Sequence, residues 1–292
     1  MTDVTMAFDA DNHLGETPVW SVQDQALWWV NCEKPPRIHR WHPETGAHDQ
    51  WDMPKRVGGF VHKADGTLLV ALADGVYDFD TNTGVLELRA ASRLPPQVKL
   101  HECMCDRQGR FWVGAYDHDF PTNTRAKGGS WFRLDGNELV PVIEGIAVAN
   151  GLAFSPDGRT VYLSDSPTRS VQAWDLDPAS GAVANPRTFI QLVEGEGFVD
   201  GAAVDIEGGY WLANVAAGRL RRYRPDGSID RIVELPFSNP TKPAFGGPDL
   251  KTLYVTSTKL EMPAFKQTTM PNGPLYCLRP GETGIAETPL RD

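Results

Sequence analysis

Cysteine is scarce in this chain: four residues among 292, at Cys32, Cys103, Cys105 and Cys277. No Cys-x-x-Cys pair occurs, so neither a disulfide framework nor a zinc ribbon is expected, and the thiols read as small buried side chains. Cys103 and Cys105 share one face of a predicted strand, which leaves soft-metal or redox chemistry open only there. Positive charge is also in short supply. The 28 Lys and Arg against 38 Asp and Glu give a formal net charge of -10, which argues against nucleic acid and anionic membrane surfaces as partners. The one basic cluster, at residues 219–224, is expected to spread its charges along the exposed face of a strand. Long apolar runs are missing too, and residues 1–13 are acidic without a basic head, so neither a secretory signal nor a membrane anchor is expected and the location implied is cytoplasmic. No stretch sustains a helical period. Gly-x-Ser-x-Gly, a phosphate-binding glycine loop and His-Glu-x-x-His are all absent, which removes support for serine esterase, nucleotide and metallopeptidase chemistry.

What the sequence does contain is an internal repeat. Residues 150–165 and 200–214 each read as a small apolar strand, a polar turn and a second apolar strand, and residues 16–31, 58–72, 101–114 and 241–257 align with them. The copies start at Glu16, Gly58, His101, Asn150, Asp200 and Thr241, at spacings of 41 to 50 residues, the range of a four-stranded propeller blade. A third segment with hairpin character follows in several copies, at 75–84, 171–177 and 219–227. Six such sheets close radially, because closure covers strand edges and buries apolar faces between neighbours. The expected fold is therefore all-β, a six-bladed β-propeller, with residues 1–292 as one domain and no linker. Residues 4–10 are expected to pair with strands near 275–279 and complete the last blade.

In a propeller the first strand of each blade lines the central channel, so equivalent strand starts converge on one mouth. Glu16, Asn150 and Asp200 would there offer two carboxylates and an amide oxygen, a hard donor set suited to calcium, magnesium or manganese. Asn150 and Asp200 each precede glycine, which lets the backbone turn close to the channel. Taken singly, these residues would be turn formers. Their shared register is what marks them as metal ligands.

Nearly the whole chain resembles the regucalcin (senescence marker protein) and gluconolactonase family of six-bladed propeller lactonases. The likeness runs through residues 14–20, 106–114, 149–166, 199–213 and 241–257. It implies that Glu16 of the Gly-Glu motif, Asn150 of Asn-Gly and Asp200 of Asp-Gly hold one catalytic divalent cation, calcium foremost, with zinc, manganese, magnesium or iron as alternatives. It also implies hydrolysis of a sugar lactone, with Asp200 as catalytic base. The third repeat departs from the family's Arg-x-Asn-Asp-Gly: Lys99, His101 and Glu102 stand where Arg, Asn and Asp are common. Lysine lacks the bidentate fork of arginine, so the manner of holding substrate hydroxyls is expected to differ. His101 is expected in catalysis or substrate binding, as a proton relay, a donor to substrate or a fourth ligand. Lys99, Glu102, Tyr116 and Asp119 are expected substrate contacts, the last two at the start of a loop, 116–129, long enough to cover the mouth. Two rival readings are a propeller hydrolase of aryl esters or organophosphates, and a calcium-binding propeller without catalysis.

Overall fold

The structure is a computed structural model that describes residues 3–120, 122–261 and 268–291. Twenty-four strands form six four-stranded antiparallel sheets. Alternating apolar residues and Gly-containing turns produce each of them, and the only helical segment among the described residues is one 3-10 turn at Ser166–Thr168. The innermost strands are Gly15–Ser21, Val57–His62, Val98–Cys105, Ala149–Phe154, Phe198–Val204 and Pro240–Gly246. Each packs on the innermost strand of the next blade, and the first packs on the sixth, so the ring is closed. Innermost strands flanked by protein on both faces have no alternation to show; Pro240–Gly246 is buried throughout.

Six buried clusters occupy the six seams between blades. Trp28 and Ile38 meet Phe60 and Val70 across the first seam, and Trp211 and Leu220 meet Phe245 and Val255 across the fifth. Closure follows the expected route: Thr5–Phe8 pairs with Leu275–Leu278 in the sixth sheet, with Thr5 opposite Cys277 and Phe8 opposite Leu275. Phe8 then packs at a tilt against Trp29 of the first blade, 5.6 Å between ring centroids, which fastens the two ends of the chain across the last seam. No helix of the described residues is long and apolar enough to cross a membrane.

One expectation fails. The basic run at 219–224 does not lie on a solvated face, because Arg221 and Arg222 are buried. Arg221 donates to Glu196 at 2.7 Å, and Arg222 donates to Asp205, Glu207 and Asp230 at 2.8 to 3.0 Å. Guanidinium groups enter a seam when several acceptors are in place to satisfy them. Three of the four thiols behave as expected: Cys32, Cys103 and Cys105 are buried and burial drives their ionisation upward, whereas Cys277, on the strand that pairs with Thr5–Phe8, is half-buried.

Candidate functional site

The channel mouth is built at a set of backbone irregularities. The innermost strand of every blade shifts register near its start, between Glu16 and Val19, Val57 and Gly59, Leu100 and Cys103, Asn150 and Ala153, Val199 and Ala202, and Pro240 and Pro243. A bulge leaves a residue out of the ladder and re-aims its side chain. The residue after each of two expected ligands takes left-handed backbone: Gly151 at φ 70 and Thr17 at φ 45. A β-branched residue adopts that conformation only under constraint, which places strain next to Glu16. Gly201 meets a different demand, since a Cβ there would lie 2.6 Å from Lys242 Cβ.

Glu16, Asn150 and Asp200 are 2%, 5% and 8% exposed. Burial pushes the Asp200 carboxyl well up from its ordinary value, and the charges of Glu16 and Glu102 push it further. Glu16 is raised to about 7, first by burial and then by Glu102, against the pull of Lys242, a 3.2 Å hydrogen bond from Thr17 N–H, and Arg56. Asp200 is thus raised by Glu16 and Glu102, and Glu16 by Glu102, so the mouth gathers buried acid groups whose ionised forms a bound cation would favour. The third donor is oriented by a chain of hydrogen bonds. Ser166 Oγ gives its only hydrogen to Val199 O at 2.7 Å, so at 2.9 Å from Asn150 it must accept from the amide Nδ2. Asn150 Oδ1 is thereby turned the other way, buried and without a hydrogen-bond partner. Among the described residues no three of His, Cys, Asp and Glu gather as ligands; the donor set is two carboxylates and one amide oxygen. A divalent cation that prefers oxygen fits it.

An ion pair spans the channel beside this set. Lys242 of the sixth blade reaches Glu102 of the third at 2.5 Å, and both are buried. The other Glu102 oxygen accepts Leu152 N–H at 2.9 Å. Both oxygens of this expected substrate contact are thus engaged within the chain. His101, 6% exposed, is held well below the ordinary histidine value by burial and by the charges of Arg56 and Lys242, with the Asn150 side chain pulling slightly the other way. Tyr116 lies edge-on to the His101 ring, 5.5 Å between centroids, and carries the Arg56 guanidinium over its face at 4.6 Å. Lys99 is half-buried and paired with Tyr116 across the hairpin, so the two share a face of the sheet. Asp119 is exposed on the following loop and tied in by its main chain, whose N–H donates to Asp117 Oδ1 at 3.1 Å. The buried Asp117 also accepts Gly128 N–H at 2.9 Å, so one carboxylate pins both ends of the loop at 118–128. Pro121 of that loop lies outside the described residues.

The structure therefore brings Glu16, His101, Glu102, Asn150 and Asp200 to one mouth, with Lys99 and Tyr116 at its side and Asp119 further out. Three participants were not singled out from the sequence: Arg56, Ser166 and Lys242. Lys242 left a signal, a charge inside an apolar strand one residue past the repeat register at Thr241. Arg56 left a fainter one, a basic pair with Lys55 just before Gly58.

Comparison with known proteins agrees with this fold. The family model described as SMP-30/Gluconolactonase/LRE-like region matches residues 14–259. The chain is 34% identical over 278 residues to a 6-deoxy-6-sulfogluconolactonase of Pseudomonas putida, covering 94% of each chain. It is 34% identical over 261 residues to an L-arabinolactonase of Azospirillum brasilense, covering 88% of this chain and 84% of that one. Among solved structures, a calcium-binding protein, regucalcin, of Agrobacterium tumefaciens superposes with a TM-score of 0.90 at 27% identity, over 100% of this chain and 98% of the other.

Proposed function

The chain belongs to the SMP-30/Gluconolactonase/LRE-like family, and we propose that it hydrolyses a sugar lactone to the hydroxy acid at the channel mouth, with a divalent cation held by Glu16, Asn150 and Asp200. The observation that carries this reading is the orphaned Asn150 Oδ1 beside Glu16 and Asp200, two buried carboxyl groups whose ionisation burial opposes. When bound, the cation supplies Lewis acidity toward the lactone carbonyl and toward the attacking water. The donor set of oxygens alone favours calcium over zinc, and the printed description of the regucalcin relative as calcium-binding supports the same ion. The names of the lactonase relatives support an aldonolactone as the substrate class.

Asp200 is the group placed to take the proton as water adds to the carbonyl carbon, and to return it to the ring oxygen as the ester bond breaks. Burial and the charges of Glu16 and Glu102 hold its carboxyl well above the ordinary value, the direction that makes a carboxylate a stronger base. Glu102 holds the Lys242 ammonium across the channel; the charge of Lys242 favours the ionised form of Glu16, and that of Glu102 itself opposes it more strongly. Lys99 and Tyr116 flank the mouth where the hydroxyls of a sugar ring would lie, and Asp119 belongs to the loop over it. The test is turnover by the purified chain of a panel of aldonolactones, one aryl ester and one phosphotriester, each with calcium, manganese, magnesium or zinc. Ion-dependent opening of an aldonolactone is expected. Turnover of the aryl ester or phosphotriester alone would overturn the reading.

A further inference from the structure

Arg56 lies immediately before the innermost strand of the second blade, Val57–His62, and its side chain is 8% exposed. It crosses to the third blade and donates twice: Nη1 to Leu100 O at 3.1 Å, and Nη2 to His101 Nδ1 at 3.2 Å. The guanidinium plane rests on Tyr116, 4.6 Å from the ring centroid, and the same tyrosine packs edge-on against His101. Two hydrogen bonds, the Tyr116 ring face and Glu33, whose Oε2 lies 4.0 Å from Arg56 Nε, together fix the position of the guanidinium.

A guanidinium has five donors and no acceptor. Where it meets a histidine nitrogen, that nitrogen must supply the lone pair, and a neutral imidazole then carries its hydrogen on the other nitrogen. We infer that Arg56 is a positioning residue that locks His101 as the Nε2–H tautomer, so that His101 acts as a hydrogen-bond donor to the lactone carbonyl oxygen and is neither a metal ligand nor a base. The role at the carbonyl rests on the lactonase reading; the tautomer does not. Both lone-pair routes are closed in this state, Nδ1 by Arg56 and Nε2 by its hydrogen. The ring also lies within reach of the Asn150 side chain, one of the three proposed oxygen ligands. A preorganised donor at that place strengthens as negative charge gathers on the carbonyl oxygen, which is where such a bond accelerates acyl chemistry. The arrangement also explains how the mouth uses an imidazole at His101: its donor direction is set from a neighbouring blade.

The proposal is tested on 15N-labelled protein by long-range 1H–15N correlation spectroscopy at neutral pH, with the His101 signals assigned by their loss in His101→Asn. The wild type should show a bare Nδ1 and a protonated Nε2 at His101. Arg56→Met should give a mixture of tautomers. Bare Nε2 with protonated Nδ1 in the wild type would overturn the proposal whether or not any lactone is hydrolysed. The functional arm is a double-mutant cycle on kcat for the best lactone, with metal affinity measured beside it. Arg56→Met should lower kcat about 10- to 100-fold, as loss of an orienting partner does, with metal affinity within about two-fold. In the His101→Asn background, where no tautomer remains to be set, Arg56→Met should change kcat by less than about three-fold. An equal loss in both backgrounds would mean that Arg56 acts by itself, and a ten-fold loss of metal affinity in His101→Asn would make His101 a ligand; either result contradicts the assignment.

Discussion

Two sets of buried carboxylates in this molecule behave in opposite ways. Asp106 and Asp205, each fully buried, sit at the hairpin turns of the third and fifth blades and are saturated by the chain itself. Asp106 accepts from Gln108 N–H, Arg110 N–H, Arg110 Nε and Trp112 Nε1 at 2.6 to 3.1 Å. Asp205 accepts from Glu207 N–H, Gly209 N–H, Arg222 Nε and Trp211 Nε1 at 2.8 to 3.0 Å. Glu16 and Asp200 are just as inaccessible, yet they face each other, and the carbonyl of the amide beside them has no partner. Burial of a carboxylate is therefore no mark of function by itself. What separates the mouth from the turns is that Glu16 accepts from Thr17 N–H at 3.2 Å and Asp200 lies among other carboxylates, whereas each turn surrounds its carboxylate with four donors.

Substitution should separate the two sets. Glu16→Gln and Asp200→Asn should each lower kcat/KM for a lactone by about a thousand-fold or more through lost cation binding. Neither should lower the melting temperature of the metal-free protein, because each puts a neutral amide where burial already opposes the charged carboxylate. Asp205→Ala should do the reverse. It leaves Arg222 buried without its main partner, which costs about 3 to 5 kcal/mol in denaturant unfolding, while kcat per folded molecule stays the same. A loss of stability at the mouth, or of catalysis at the turn, would erase the distinction.

A pH series sharpens it. In the metal-free fold Glu16 keeps its proton up to about 7, whereas the unfolded chain releases it near 4.5. Below 4.5 both states are protonated and this contribution to stability is whole; it is lost as pH rises through about 7, and Asp200 extends the loss upward. Thermal melts of metal-free protein should thus decline across that window, and a saturating divalent cation should remove the decline by favouring the ionised pair. A flat metal-free profile would mean that the two carboxylates are already satisfied.

Much of this was legible from the sequence. Strand alternation and the repeat register exposed the six blades, and the same register aligned Glu16, Asn150 and Asp200 at one position of the repeat. The pairing of Thr5–Phe8 with the last blade followed from the need to fasten a ring. What the register hid is reach. Lys242 meets Glu102 from 140 residues away, and Arg56 meets His101 from 45; no local pattern encodes a side chain crossing a channel. The misreading of 219–224 has the same origin, since Arg221 and Arg222 turn inward toward Glu196 and Asp205, acceptors that belong to other turns. Glu102 was legible as a residue of the mouth but not as one already engaged.

The smallest effect should lie at the side of the mouth. Lys99→Arg is expected to shift preference among aldonolactones by about 1 to 3 kcal/mol in relative kcat/KM, as one altered polar contact does, with metal affinity unmoved. Equal change toward every lactone would place Lys99 outside substrate recognition.

The account stands on the claim that the mouth is completed by a divalent cation. The most direct measurement is lactone hydrolysis by protein stripped with chelator and verified by elemental analysis, followed by titration with calcium. The account predicts no turnover in the stripped protein and full recovery at one ion per chain, with the titration abolished in Asp200→Asn. Full turnover in verified metal-free protein would contradict it.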